Sequence, residues 1–159
     1  MRFIVRQKFF SIRDGFYIKD QSGRDVYSVK GKLWTLGKKF YLTDLAGNEL
    51  FIKQRLFRIR ARYDFLINDE VVAVVKRRFP LFMKRYKVES DVFGDLKVNG
   101  NIMAWSFSID TKDGRSLATV SKKILHINDT YTVDVFDRRF EMLGLGIAVM
   151  LDAVHHKGR

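Results

Sequence analysis

The sequence predicts a mainly β protein, a closed antiparallel barrel of about twelve strands enclosing a hydrophobic C-terminal α-helix. Three features carry that expectation. Most of the chain is a succession of short alternating runs, glycine-bearing turns punctuate those runs, and the final segment, RRFEMLGLGIAVMLDAVHH, is apolar on every side.

The alternating runs include GFYIKD, KFYLTD, IRARYDF, WSFSID and TYTVDVF, rich in Phe, Tyr, Ile and Val. Alternation sends one set of side chains to a core and the other to water, and aromatic and β-branched residues fit a pleated surface. Between the runs stand the turn formers QSGR, LAGN, IND, VNGN and KDGR. Asn99-Gly100 is the dipeptide of a type I′ hairpin and is expected to reverse the chain, as is Asn68-Asp69. Three turns echo one another: Ile18–Gly23, Leu42–Gly47 and Ile109–Gly114 each place a glycine five residues after a strand-end aliphatic. No segment before Arg138 keeps apolar residues at helical spacing.

The terminal segment has a different pattern. Met142 to Leu151 carries no charge, and as a helix it spans roughly 15 Å, half the ~30 Å of a bilayer's hydrocarbon core. Glu141 and Asp152 bracket it, and Leu143, Leu145, Ile147, Val149 and Leu151 leave no polar face for an interfacial helix. Such a helix belongs in a protein core. Two packed sheets leave no room for a rod about 10 Å across, whereas a closed barrel of about a dozen strands does, and closure removes the edge strands that invite aggregation. One domain is expected over 1–159, with the barrel at about 2–137 and the helix at about 140–155. Gly144 and Gly146 are expected where wall side chains press on the helix.

Thirty Lys and Arg against 18 Asp and Glu give a net charge of +12. Such a surplus favours polyanions: nucleic acid, anionic lipid headgroups or an acidic partner. The absence of cysteine excludes a disulfide scaffold and thiol chemistry and fits a reducing cytoplasm. The opening MRFIVRQKFFSIRDG has a charge every few residues, so no signal peptide is expected.

The stretches RYKVESDVFGDLKVNGNIMAWSFSID, GRSLATVSKKIL, DTYTVDVFD and LGLGIAVMLDAV resemble the LURP-one-related group of the tubby C-terminal-like superfamily. The likeness in motif covers Arg85 to Val154, and the N-terminal half matches in pattern. It implies a twelve-stranded barrel around a central hydrophobic helix. Two related groups suggest functions: tubby domains bind phosphoinositide headgroups through a basic surface and contact DNA, and phospholipid scramblases carry a calcium-associated acidic stretch before their last helix. Here that region, DTYTVDVFDRRFE, departs from the scramblase pattern, because Asp129, Asp134 and Asp137 are sparse and a strand sends the first two to opposite faces. No metal or cofactor is expected.

The candidate functional surface is RLFRIRARYDFLINDEVVAVVKRRFPLFMKRYK. In an extended strand Arg58, Arg60 and Arg62 share an outward face, while Ile59, Ala61, Tyr63 and Phe65 share the inward one. A reversal at Asn68-Asp69 brings Lys76, Arg77 and Arg78 near that row, though the continuous apolar run Val71–Val75 leaves the register open. Lys84, Arg85 and Lys87 follow Pro80. Guanidinium forks suit phosphate oxygens, and like charges this dense repel one another unless an anion relieves them. The alternative is a solvated strand face whose charges discourage edge pairing. FPLFM, Phe79 to Met83, reads as core or as an apolar loop dipping into a membrane beside the basic patch.

No catalytic motif is present: GKLWTLGKK lacks the spacing and hydroxyl of a phosphate loop, His126 has no partner at metal spacing, and no nucleophile elbow appears. The expectation is a non-enzymatic module that binds phosphate-bearing anions, membrane phospholipid or phosphoinositide headgroups first. Nucleic acid on the same surface, or a structural or protein-interaction role, is the alternative. The expected location is cytoplasmic, at the inner membrane surface when bound.

Overall fold

The computed structural model of the chain describes residues 1–6, 15–32, 37–56, 59–79, 84–122 and 130–155. The alternating runs become twelve strands: β1 (Arg2–Arg6), β2 (Phe16–Asp20), β3 (Asp25–Lys32), β4 (Lys39–Asp44), β5 (Glu49–Arg55), β6 (Arg62–Ile67), β7 (Glu70–Arg77), β8 (Tyr86–Ser90), β9 (Gly94–Asn101), β10 (Ser106–Thr111), β11 (Ser116–Ser121) and β12 (Thr130–Val135). Each pairs antiparallel with its sequence neighbours, and β1 closes on β12, with Phe3 opposite Val133. The result is an up-and-down barrel without edges, as the alternation and the terminal segment predict.

Helix α1 (Glu141–His155) fills the barrel, and every residue from Leu143 to Ala153 is buried. Inward wall residues such as Val5, Ile18, Phe65 and Val133 meet it in one continuous core. Each Leu, Ile, Val or Met so buried stabilises the fold by about 1.5–3 kcal/mol, so an all-round apolar helix gains on every face. Gly146 is where the wall presses closest: a Cβ there would lie 2.7 Å from Leu50 Cδ2 and 3.2 Å from Ile52 Cδ1 and Phe65 Cε1. At Gly144 the near neighbour is instead Phe140, at 3.0 Å, from the 3-10 turn (Arg138–Phe140) that leads into the helix.

An up-and-down barrel has two ends. At one, the chain reverses through the short segments 21–24, 45–48, 68–69, 91–93 and 112–115. At the other, the connections span 7–15, 33–38, 56–61, 78–85, 102–105 and 122–129. These are called below the short-turn end and the long-connection end. The helix enters from the short-turn end after β12 and finishes at the long-connection end.

The three echoing turns share one hydrogen-bond scheme at the short-turn end. Gly23 N–H bonds Asp20 O, Gly47 N–H bonds Asp44 O and Gly114 N–H bonds Thr111 O. Asn68 and Asp69 form the expected two-residue reversal, with φ of 50° and 65°. Asn99-Gly100 does not turn. It lies inside β9 with Gly100 opposite Phe107, and the reversal comes later, through the 3-10 turn Ile102–Ala104 and Trp105.

Candidate functional site

The predicted basic surface runs from the end of β5 to the start of β8, and its described cations are arranged otherwise than a single outward strand face requires. The strand begins at Arg62, so residues 59–61 before it are not part of a pleated row. Ile59, expected inside, is 88% exposed. Arg58 and Pro80–Met83 lie outside the described residues. Arg60 is exposed, with its guanidinium 4.6 Å from the centroid of the Phe79 ring.

The row that does form runs across strands. Register places Arg55, Arg62, Lys76, Lys87 and Lys97 side by side, one per strand from β5 to β9. Directly opposed like charges destabilise a sheet, and here carboxylates in the adjacent row neutralise them. Asp64, whose side chain is 1% exposed, takes Arg55 Nε at 2.7 Å on one oxygen and Arg62 Nε at 2.8 Å on the other. Glu89 pairs with Lys76 at 3.0 Å and Lys87 at 3.5 Å, and Lys87 also meets Asp95 at 3.1 Å. The bond from Lys76 holds the Glu89 carboxyl below its ordinary range, and the bond that Lys87 donates to Asp95 raises the Lys87 ammonium. Arg62, Lys76 and Lys87 are therefore part of a charge-balanced ladder.

Arg77 has the opposite orientation. It continues the inward set of Ala73 and Val75, pairs in register with Tyr86, and turns into the barrel mouth beside Tyr63 and Tyr86. The apolar run Val71–Val75 hid this register, which a bulge opposite Phe65 and Leu66 sets. Arg78 and Arg85 are exposed on the rim, held together by Arg78 N–H to Arg85 O at 2.8 Å. Lys84 Nζ reaches Met103 Sδ at 2.7 Å. Among the described residues, Arg60, Arg78 and Arg85 make no ion pair. They stand at the long-connection end together with exposed Ile59 and Phe79, the latter 50% exposed.

Polar groups sit at the same end beneath that rim. Lys38 Nζ donates to Ala153 O at 2.7 Å, satisfying a carbonyl of the last helical turn. Tyr86 Oη and His155 Nε2 are 2.6 Å apart. Buried Asp152 accepts from Trp105 Nε1 at 3.3 Å, and burial and that carboxylate's charge push the neighbouring Tyr131 hydroxyl well above its usual pKa. None of these contacts has a sequence signature. At the acidic stretch before the helix, Asp134 pairs with Arg2 and Asp137 with Arg139, while Asp129 and His126 lie outside the described residues.

Sequence reasoning also passed over a second set of cations. Lys30 and Lys32 on β3, Lys39 on β4 and Lys53 on β5 all face outward. The spacing Lys30-Gly31-Lys32 signals one outward face, but only the pairing register shows that Lys32, Lys39 and Lys53 are neighbours.

The model of the family described as LURP-one-related matches residues 1–152. The Bacillus subtilis uncharacterized protein YxjI is 27% identical over 155 residues, covering 94% of this chain and 91% of its own length. An Arabidopsis thaliana protein of known X-ray structure shares the fold at a TM-score of 0.65 and 18% identity, covering 96% of this chain and 89% of that one.

Proposed function

Since the chain belongs to the LURP-one-related family, whose barrel the helix already fills, we propose that it acts through its outer surface, as a non-enzymatic module binding phosphate-bearing anions, membrane phospholipid headgroups first. The observation that carries this reading is the company kept by the uncommitted guanidiniums. Arg60, Arg78 and Arg85 share one end of the barrel with exposed Ile59 and Phe79. Cations beside apolar side chains match the boundary between headgroups and acyl chains, where Arg meets phosphate and an aromatic ring reaches below it. Among the described residues no helix is long and apolar enough to cross a membrane, so the reading is of peripheral contact, at the inner surface of the cell membrane.

Nucleic acid is the competing polyanion. Base stacking needs free aromatic faces, but Arg60 covers a face of Phe79, and the wall rings Tyr41 and Phe51 stack on each other at 4.7 Å. That arrangement favours headgroups.

Co-sedimentation with vesicles tests the proposal. Binding is expected to phosphatidylcholine vesicles containing phosphatidylserine and not to phosphatidylcholine alone, and to weaken with salt. At about 1 kcal/mol per basic residue near an anionic surface, Arg60→Ala/Arg78→Ala/Arg85→Ala should lose roughly a hundredfold in affinity. Equal binding to neutral vesicles, or an unaffected triple variant, overturns it.

A further inference from the structure

The charge of this barrel is sorted along its axis. At the long-connection end, the segments 32–39, 55–62 and 77–86, strand ends included, hold ten Lys and Arg among their described residues and no Asp or Glu. Buried Asp64 and Asp152 offset two of those charges. At the short-turn end, the hairpins 20–25, 44–49, 67–70, 90–94 and 111–116 hold eight Asp and Glu against three Lys and Arg. Around the helix entry Asp134, Asp137 and Glu141 balance Arg2, Arg138 and Arg139. A field summed over the molecule counts paired and unpaired groups alike, because an ion pair contributes nothing net. The sorting therefore does not depend on which cations have neighbours. Helix α1 opposes it, with its negative terminus at the long-connection end, but a macrodipole amounts to about half a charge per terminus. The side chains win.

Exposed apolar side chains are sorted as well. Ile59, Phe79 and Met103 stand on the connections β5–β6, β7–β8 and β9–β10, on one side of the long-connection end. Arg60 lies on the Phe79 ring and Lys84 Nζ reaches Met103 Sδ, so cations and apolar groups interleave there. At the short-turn end the three most exposed, Leu45, Val92 and Phe136, follow β4, β8 and β12. Four strands of the closed barrel separate each from the next, so these three form no continuous apolar face.

We propose that the barrel stands end-on on an anionic lipid surface, with the β5–β10 side of its long-connection end in contact and its short-turn hairpins held away from the lipid. This rests on the reading that the ligand is phosphate-bearing lipid, and adds the orientation. A basic end is drawn to the headgroups and an acidic one repelled, so the approach is steered before contact. Strands β3 and β7 have eight residues each, and a tilted strand of that length separates the two ends by roughly 20 Å. The surface potential decays over a Debye length of about 8 Å at physiological salt. End-on, the acidic hairpins lie beyond its reach; with the barrel on its side they lie within it.

Two measurements on vesicles of phosphatidylcholine with phosphatidylserine test the orientation. The chain contains no cysteine, so Ile59→Cys, Leu45→Cys and Val92→Cys each accept one bimane label at an exposed position. With bromine on the lipid chains, the label at 59 should lose emission and those at 45 and 92 should not. Leu45 tops the β4–β5 wall and Val92 the β8–β9 wall, so a barrel lying on either flank quenches one of them. Quenching at 45 or 92 equal to that at 59 overturns the orientation. The second measurement needs no label. Glu70→Gln/Asp91→Asn removes two exposed carboxylates from the short-turn hairpins. It should change vesicle affinity less than about twofold, whereas a barrel on its side gains roughly tenfold or more, which overturns the proposal. If the wild type ignores anionic vesicles altogether, the reading of function falls and takes the orientation with it. If the wild type binds and all three labels are quenched alike, the orientation alone falls. Displacement from vesicles by single-stranded oligonucleotide at a lower phosphate concentration than inorganic tripolyphosphate assigns the basic end to nucleic acid and overturns the lipid source.

Discussion

At the short-turn end of the barrel, Asp44 accepts the N–H groups of Ala46 and Asn48 and the side-chain amide of Asn48, all within four residues. At the long-connection end, Trp105 reaches Asp152, Tyr86 reaches His155 and Lys38 reaches Ala153, across 47, 69 and 115 residues of sequence. The Asp20, Asp44 and Thr111 turns satisfy their polar groups within themselves, whereas these contacts of the other end form only when the barrel closes around the helix terminus. A locally satisfied turn is chemically finished. The end that depends on the whole fold is also the one where Arg60, Arg78 and Arg85 make no ion pair with any described residue, which is why the functional reading belongs there.

The largest test of this difference uses two glycines. Gly100, at the long-connection end, has φ of 116°, and a Cβ on it would fall 2.5 Å from Ser106 O and 2.8 Å from Phe107 Cα. Those are backbone atoms of the paired strand, so Gly100→Ala should cost about 3 kcal/mol or more, combining left-handed strain with a clash that cannot rotate away. Gly47 in a short turn has φ of 87° and nothing within 4 Å, so Gly47→Ala carries the conformational penalty alone, about 1 kcal/mol. Urea denaturation of both variants measures the gap, and equal costs would mean that the two ends are built alike.

A smaller effect separates the polar contacts. Trp105→Phe removes the indole N–H from a carboxylate that is 3% exposed, and a buried acceptor deprived of a donor costs about 2 kcal/mol. Asn48→Ala deletes a bond to Asp44 at the exposed end and should stay within about 0.5 kcal/mol. Thermal melts of the pair check this, and the comparison breaks if the exposed turn proves the more sensitive of the two.

These contrasts also explain what the sequence made legible. Alternation and apolar runs are local properties, and so β2, β4, β6, β10, β12 and the swallowed helix could be read directly, as could the repeated Asp20, Asp44 and Thr111 turns. Asn99-Gly100 misled because the same dipeptide serves a strand whose partner backbone comes too close for a side chain. The arginine row misled for a second reason. Arg62 meets Asp64 two residues on in its own strand, a contact alternation alone allows, but the sharing of Asp64 with Arg55 and the pairing of Lys76 with Glu89, thirteen residues on, are matters of register between strands. Alternation fixes which face a residue takes but not which residue lies opposite, so charge balance on the wall is written in the pairing.

The smallest effect is a pH response in which carboxyls of the short turns carry the acid limb and buried tyrosines, Tyr27 at the short-turn end among them, carry the alkaline one. In the short turns carboxyls are held below their ordinary range: Asp20 by the Ser22 hydroxyl first, Asp44 by the Asn48 amide, Asp113 by Thr111. A carboxyl with a depressed folded pKa stabilises the native state above its unfolded value of about 4, and that stability is lost as pH falls through the folded value. At the mouth, burial pushes Tyr63 up to about 12 and Tyr86 above its usual range. For a raised pKa the contribution is complete below the unfolded value of about 10 and disappears as pH climbs from there through the folded value. Melting temperature against pH should therefore fall at both extremes, with Asp44→Asn flattening the acid limb and Tyr63→Phe the alkaline limb. Tyrosinate absorbance should rise only as the alkaline limb falls. If either variant flattens both limbs, the carboxyls and the tyrosines are coupled through the fold rather than titrating separately, and the division drawn between them is wrong.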